Sequence, residues 1–286
     1  SQNPLSVSMA TSAPESSSGS KKSAARSGRK FLQRFKFQSG VLLVPAFLSS
    51  TLNTSVPAPY FQENVSSTSS RFETHTTLRI AAGQLPYIHC DIQRSADILL
   101  SFATEAQSAG ADLICFPECY LQGYLIDEGE AADLALDLES EEFTSVLHAL
   151  AHLEPIIVFG LIEKNGDQLH NTAVVVKQGK LLGAYRKQHL LPGESVFTPG
   201  DSTPIFEVQG VVFGINICND LNFSDSAQAV ADQGASLLVC PCNNMMGLEN
   251  AKRWEHQHNK LRAPRAIESG LWLISSDVTG TFGERA

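Results

Sequence analysis

Apolar residues along this chain fall into two kinds of run. Short blocks of consecutive, often β-branched residues alternate with stretches in which apolar positions recur every three or four residues, marking buried strands and amphipathic helices respectively. Leu78-Arg-Ile-Ala-Ala-Gly-Gln84 reads as a strand. Asp91 then stands as an N-cap before a helix whose apolar positions Ile92, Ala96, Leu99, Ala103 and Ala106 share one face until Gly110 stops it. Leu113 to Phe116 is a second strand, ended by Pro117. Strand, helix and strand in quick succession predict a layered α/β domain. A helical region from about Leu138 to His152 follows, and then three strands, Ile156 to Glu163, Leu169 to Lys177 and Lys180 to Lys187, joined by hairpin turns at Asn165-Gly166 and Gln178-Gly179. Residues 188–203 read as a loop carrying Pro192-Gly193-Glu194 and Pro199-Gly200. The run Val211 to Ile217 predicts a core strand that delivers Cys218 to its end. Beyond it come a helix near Asp225 to Gln233, a strand Ser236 to Cys240, one long helix from about Leu248 to Ser269, and a strand Leu271 to Ser275.

No such periodicity holds before residue 78. Residues 1–77 contain 18 serines and no Asp, the composition of a disordered leader, so the expected organisation is a leader, 1–77, and one globular domain, 78–286. Within the leader, residues 21–36 are basic and 41–48 form a short apolar run, a combination found in targeting segments. Organelle import, secretion and an artefact of cloning or reading frame all fit it, with a plain disordered extension as the default reading. The apolar run is too short to span a bilayer.

Charge sharpens the division. The chain carries a net charge of -9, yet its leader holds eight Lys/Arg against three Glu, leaving 13 basic and 27 acidic residues in the domain. An acidic domain has no basic stripe for nucleic acid. The six cysteines, Cys90, Cys115, Cys119, Cys218, Cys240 and Cys242, lie in or beside apolar runs, as reduced thiols of a cytoplasmic protein do, with an organelle as the alternative location. Cys115/Cys119 and Cys240/Cys242 lack the two-residue gap of common zinc sites and are interrupted by Pro117 and Pro241, so they read as structural rather than metal-binding. His256 and His258 are only two apart and would face different sides of a helix, so no metal is expected there.

Candidate chemistry gathers at strand ends. A cysteine attacking an amide or nitrile carbon needs a base for its proton, donors for the developing oxyanion, and a proton for the departing nitrogen. Cys218, Glu118 and Lys187 supply those residue types, each just past a predicted strand. Singly, each has an ordinary explanation: a small buried thiol, a solvated loop carboxylate, one member of a basic pair at a strand end.

In this order they resemble the Glu-Lys-Cys triad of the nitrilase superfamily of carbon-nitrogen hydrolases. The resemblance covers residues 78–286 and rests on Phe116-Pro-Glu118 with Gly123-Tyr124, on Tyr185-Arg-Lys187-Gln-His189-Leu190, on Pro199-Gly200, and on Gly214-Ile-Asn-Ile-Cys218-Asn-Asp220 with Phe223. It implies an α-β-β-α sandwich of four layers that needs no cofactor. Glu118 would be the general base, Lys187 the oxyanion stabiliser and Cys218 the nucleophile that forms a thioester. Glu194 matches a further glutamate that holds lysine and substrate in place, and the backbone N–H of Asn219 would complete the oxyanion hole. Tyr124, Asn243 and Asn244 are added as candidate substrate-binding residues. True nitrilases follow the cysteine with Trp-Glu, whereas Asn219-Asp220 resembles the amidase and carbamoylase branches. The implied reaction is therefore hydrolysis of a small linear amide or carbamoyl amine, by a homodimer or larger homo-oligomer. A nitrilase, an acyltransferase and a catalytically silent binding domain are the alternatives. Two departures accompany the match: Ser224-Asp225 stands where Pro-Glu is usual, and the chain stops at Ala286, where relatives continue with further strands, so C-terminal strands are expected to be missing.

Overall fold

Runs such as Ile156 to Ile162, apolar at every position but one, need cover on both faces. The computed structural model, which describes residues 51–53, 77–255 and 257–286, shows how they obtain it. Its strands are β1 (Thr51–Asn53), β2 (Thr77–Ala82), β3 (Gln84–Pro86), β4 (Leu113–Cys115), β5 (Ile156–Asn165), β6 (Gln168–Lys177), β7 (Lys180–Arg186), β8 (Ile205–Val208), β9 (Val211–Ile215), β10 (Leu237–Pro241) and β11 (Trp272–Thr279). Its helices are α1 (Ile92–Ser108), α2 (Glu128–Leu134), α3 (Glu141–Ala149), α4 (Ser224–Ala231), α5 (Leu248–Trp254) and α6 (His258–Ser269).

The strands form two sheets, in the orders β1-β2-β4-β5-β6-β7 and β3-β11-β10-β9-β8. Alternation along β5 shows why they stack. Ile156 and Val158 join Ala173, Val175 and Tyr185 in a core shared with Phe213, Ile215 and Val239 of the second sheet. Ile157, Phe159 and Leu161 point the other way, onto Leu99 and Ala103 of α1 and Phe143 of α3. The outer face of the second sheet, with Leu238, Cys240 and Leu273, is covered by Ala227 and Val230 of α4 and Ala266 of α6. Helices, sheet, sheet and helices make the four layers that the sequence resemblance implies.

Parallel pairing fixes where chemistry can sit. β2, β4 and β5 run parallel, as do β3, β11, β10 and β9, so their carboxyl ends gather along one edge. β7 reverses twice from β5 through β6 and ends on that edge too. Ligands of such sheets bind beyond the carboxyl ends of the strands.

Several elements differ from the sequence reading. The single strand expected at 78–84 is two: the chain leaves the first sheet after β2 and enters the second as β3, turning at Gly83. A Cβ there would meet the Phe116 ring at 2.5 Å, so the crossover takes glycine. The long helix expected from Leu248 to Ser269 is broken into α5 and α6, because the polar run after Trp254 closes a turn in which Gln257 N donates to Trp254 O at 2.8 Å. β8 and α2 go unread in the sequence, since β8 is an edge strand that buries only Val208 and α2 buries only Ala131. Thr51–Asn53, inside the expected leader, pair antiparallel with β2. The basic stretch 21–36 and the apolar run 41–48 lie outside the described residues. No helix among the described residues is long and apolar enough to cross a membrane.

Candidate active site

Glu118 is set by a break and a close approach. Pro117 ends β4, and the next residues fold down onto β5 at Gly160, whose N–H donates to Pro117 O at 3.0 Å. A Cβ on Gly160 would lie 2.4 Å from Cys119 N and 2.7 Å from Glu118 C, so only glycine lets the segment sit there. Lys187 follows β7; its N–H donates to Asn171 O at 2.8 Å and its carbonyl accepts from Gly200 N at 2.9 Å, which is how the Pro199-Gly200 turn is used. Cys218 opens a tight 3-10 turn, Cys218–Asn222, three residues beyond the end of β9. Its φ of +43 is left-handed backbone, a region that costs a β-carbon residue about 1–3 kcal/mol and is stored at functional turns.

The Glu118 and Lys187 segments bring a buried polar cluster together. Lys187 Nζ donates to Glu118 Oε1 at 2.8 Å and to Glu194 Oε1 at 2.7 Å. All three side chains are at most 1% exposed. Asn171, from β6, donates to the same two oxygens at 2.7 and 3.3 Å. Tyr124 OH donates to Glu194 Oε1 at 2.6 Å, and Leu191 N–H to its Oε2 at 2.6 Å. Asn243 N–H donates to Glu118 Oε2 at 2.9 Å.

One ammonium among two buried carboxylates leaves an excess of negative charge. Burial pushes the Glu118 carboxyl up, to about 7; Lys187 opposes the shift and Glu194 adds to it. Burial alone would lower the Lys187 ammonium, but Glu118, the Cys218 thiol and Glu194 outweigh it and hold the ammonium well above its ordinary value. Contact with Cys242, burial and the Glu118 carboxylate together raise the Cys218 thiol far above the free value, so it rests protonated. A carboxyl that titrates near neutrality and a thiol that rests protonated are matched for proton transfer at the moment of attack.

Asp220 ties two of the segments to each other. Its fully buried carboxylate accepts from Ile217 N at 2.9 Å and Tyr185 OH at 2.8 Å through one oxygen, and from His189 N at 2.8 Å through the other. The stretch after Lys187 and the turn carrying Cys218 therefore share one anchor. Cys218 opens into a cavity of about 150 Å³ lined also by Leu191, Asn219, Asn222, Asn244 and Arg262.

Each residue singled out in the sequence can now be placed. Glu118, Lys187, Glu194 and Tyr124 form one hydrogen-bonded group, Asn243 touches it through its backbone, and Asn219 and Asn244 line the cavity beside Cys218. Asn244 Oδ1 lies 3.9 Å from Cys218 Sγ. The Asn219 side chain donates to His189 O at 3.0 Å. Phe223, where the usual Pro-Glu is replaced by Ser224-Asp225, stacks on the His189 ring at 3.9 Å. Sequence reading passed over Asn171 and named Tyr185 and Asp220 only as parts of motifs; the signal for the first was a polar trio, His170-Asn171-Thr172, just ahead of the apolar run Ala173 to Val176. Cys240 and Cys242 Sγ lie 3.5 Å apart, unbonded, whereas Cys115 contacts Ser276 Oγ at 3.1 Å and Cys119 packs in a separate cluster. Among the described residues one group of metal-type side chains, His89, Cys90 and Glu130, has ligand atoms within 4.8 Å of one another. It lies at the surface and shares no residue with the cavity.

The chain is similar to known carbon-nitrogen hydrolases. A family model described as carbon-nitrogen hydrolase matches residues 79–285. A nitrilase of Pyrococcus abyssi is 32% identical over 180 residues, covering 62% of this chain and 65% of that protein. An (R)-stereoselective amidase of Pseudomonas is 32% identical over 135 residues, covering 47% and 49%. The chain thus spans between about half and two thirds of the length of these relatives. Among solved structures, an amidase from Nesterenkonia sp. AN1, with acrylamide added at its active-site cysteine, superposes with a TM-score of 0.64 at 26% identity, covering 73% of this chain and 82% of that one.

Proposed function

The chain belongs to the carbon-nitrogen hydrolase family, and from that premise we propose that it hydrolyses the C–N bond of a small linear amide or carbamoyl amine through a thioester on Cys218. The observation that carries this reading is the buried group in which Lys187 bridges Glu118 and Glu194 at the carboxyl edge from which Cys218 opens into its cavity.

The steps follow from the groups present. The substrate carbonyl oxygen faces the Lys187 ammonium and the Asn219 N–H. Glu118 takes the Cys218 proton as sulfur attacks the carbonyl carbon, and the oxyanion forms against the donors waiting for it. Glu118 returns that proton to the nitrogen, the C–N bond breaks, and ammonia or an amine departs, leaving the thioester. A water molecule then loses a proton to Glu118 and attacks the same carbon; the acid leaves and the proton goes back to sulfur. One amide and one water become one acid and one amine, with no other reactant. Glu194, carrying hydrogen bonds from Lys187, Tyr124 and the Leu191 N–H, positions the ammonium.

The test is ammonia release from a panel of short amides, carbamoyl amines and nitriles by the wild-type protein and Cys218→Ala. Turnover that vanishes in the variant, with an acyl adduct on Cys218 visible by mass spectrometry of the wild type, is the expected result. Turnover unaffected by Cys218→Ala would overturn the reading.

A further inference from the structure

Two of the cysteines that read as structural stand beside Cys218. β9 and β10 run parallel with Ile215 opposite Val239, and Cys218 and Cys242 each lie three residues past that pair. The pairing carries on beyond β9, since Asn216 N donates to Val239 O at 3.1 Å. Paired positions on neighbouring strands lie about 4.8 Å apart, inside the Cα separation of roughly 4.4–6.8 Å that a disulfide spans. Both side chains also meet one buried cluster, the layer that α4 and α6 cover. Cys242 is buried within it, whereas Cys218 opens into the cavity, so a small solute there meets Cys218 first.

The surroundings of Cys242 favour its thiolate. Arg262 Nη2 donates to Cys242 Sγ at 3.2 Å, Ser275 Oγ lies 3.4 Å from that sulfur and Cys240 Sγ 3.5 Å. Contact with Cys218 and Cys240, with the guanidinium adding to it, outweighs burial and holds this thiol well below its ordinary range. The hydrolytic steps give such a sulfur nothing to do. The remaining cysteines are placed elsewhere: Cys115 contacts Ser276 Oγ, Cys119 packs in another cluster and Cys90 is at the surface.

We propose that Cys242 is a resolving thiol for Cys218: the two close a disulfide when hydrogen peroxide enters the cavity, and a dithiol reopens it. In the first step the Cys218 sulfur attacks one peroxide oxygen and the O–O bond breaks. Glu118 takes the thiol proton and passes it to the departing hydroxide, which leaves as water, and Cys218 becomes a sulfenic acid. The Cys242 sulfur then attacks the Cys218 sulfur; the S–S bond forms, the S–O bond breaks, and hydroxide leaves as water with the proton that Cys242 has given up. Two thiols and one peroxide become one disulfide and two waters, the sulfurs losing the two electrons that peroxide gains. Held in this way, Cys218 cannot attack a carbonyl, and it cannot climb to the sulfinic acid, which dithiols do not reduce. The inference needs Cys218 only as an accessible thiol, so it stands apart from the hydrolase reading.

Peptide mapping of the full chain tests it without recourse to turnover. The protein is treated with hydrogen peroxide, alkylated with iodoacetamide and cut at Asp220, Asp225 and Asp232, because no Lys or Arg stands within residues 188–251 to separate the two sulfurs. The peptide carrying Cys218 should be linked to the one carrying Cys242 in the wild type and in Cys240→Ser, and unlinked in Cys242→Ser. After prolonged excess peroxide followed by dithiothreitol, iodoacetamide labelling of Cys218 should return near its untreated level in the wild type. It should stand at least about 10-fold lower in Cys242→Ser, where Cys218 reaches the sulfinic acid. A Cys240–Cys242 link that leaves Cys218 free sinks the proposal, as does wild-type Cys218 reaching the sulfinic acid as fast as in Cys242→Ser. Should Cys242→Ser misfold, the presence or absence of the wild-type link decides alone. A Cys218–Cys242 link in a chain that turns over no amide sustains the resolving thiol and counts against hydrolysis instead.

Discussion

Glu118 shows how much a single residue's setting decides. A carboxyl at its ordinary value would be ionised throughout the neutral range, whereas this one, buried beside Glu194, loses its proton at about 7. In the proposed mechanism its ionised form accepts the Cys218 proton, so kcat/KM should rise as pH climbs through about 7 and level off above. A rate profile flat from pH 5 to 8, or one with its acid limb near the free carboxylate value of about 4, would remove Glu118 from that role. Glu118→Gln keeps the shape and loses the base; turnover should drop by about 100- to 10,000-fold with iodoacetamide labelling of Cys218 retained. At this scale the sequence draws attention to polar residues just past an apolar run, as Glu118, Lys187 and Cys218 are, and the structure joins the first two by a hydrogen bond. The sequence was not readable at Asn171 or Asp220. Their importance lies in partners 53 and 35 positions away, Glu118 and Tyr185, which no local pattern records.

Elements were legible in proportion to the apolar surface they bury. α1 follows its heptad-like face and its Asp91 cap, whose side chain accepts from Arg94 N at 3.0 Å. The β6–β7 turn at Gln178-Gly179 has the two positive φ values, 49 and 70, of the tight hairpin its sequence implies. β8, α2 and the α5–α6 break were missed because each is a mostly exposed segment whose boundaries depend on neighbours. The β5 contact with the Glu118 segment yields a prediction at this scale. Gly160→Ala puts a methyl within 2.4 to 2.7 Å of three backbone atoms that cannot swing away as a side chain would. We expect a loss of about 1–3 kcal/mol in denaturant unfolding. Turnover should fall further than that loss explains, because Glu118 is displaced from Lys187; unchanged turnover would show that the approach is not what positions the carboxylate.

The four-layer arrangement follows from strands that are apolar on both faces, and the central layer pair is where its stability concentrates. Phe213, fully buried between the sheets against Phe206, has no helix or solvent to relax into. Phe213→Ala should cost about 3–5 kcal/mol, seen as a lower midpoint in a single cooperative transition. A change under about 1 kcal/mol would mean that the sheets adhere elsewhere. The sheet-to-sheet crossover at Gly83 was invisible in the sequence, which shows one uninterrupted run there; only the ring of Phe116 beneath it makes the position special.

That crossover makes the two borders of the sandwich unlike each other. On one, covalent backbone passes from β2 to β3 with a single residue between them; on the other, β7 and β8 face each other across the Phe206 ring resting on Gly183. Parting the sheets therefore strains peptide bonds at one margin and, at the other, must tear Tyr185 OH and His189 N–H from the Asp220 carboxylate, so the sandwich is hinged at Gly83 and latched beside Lys187.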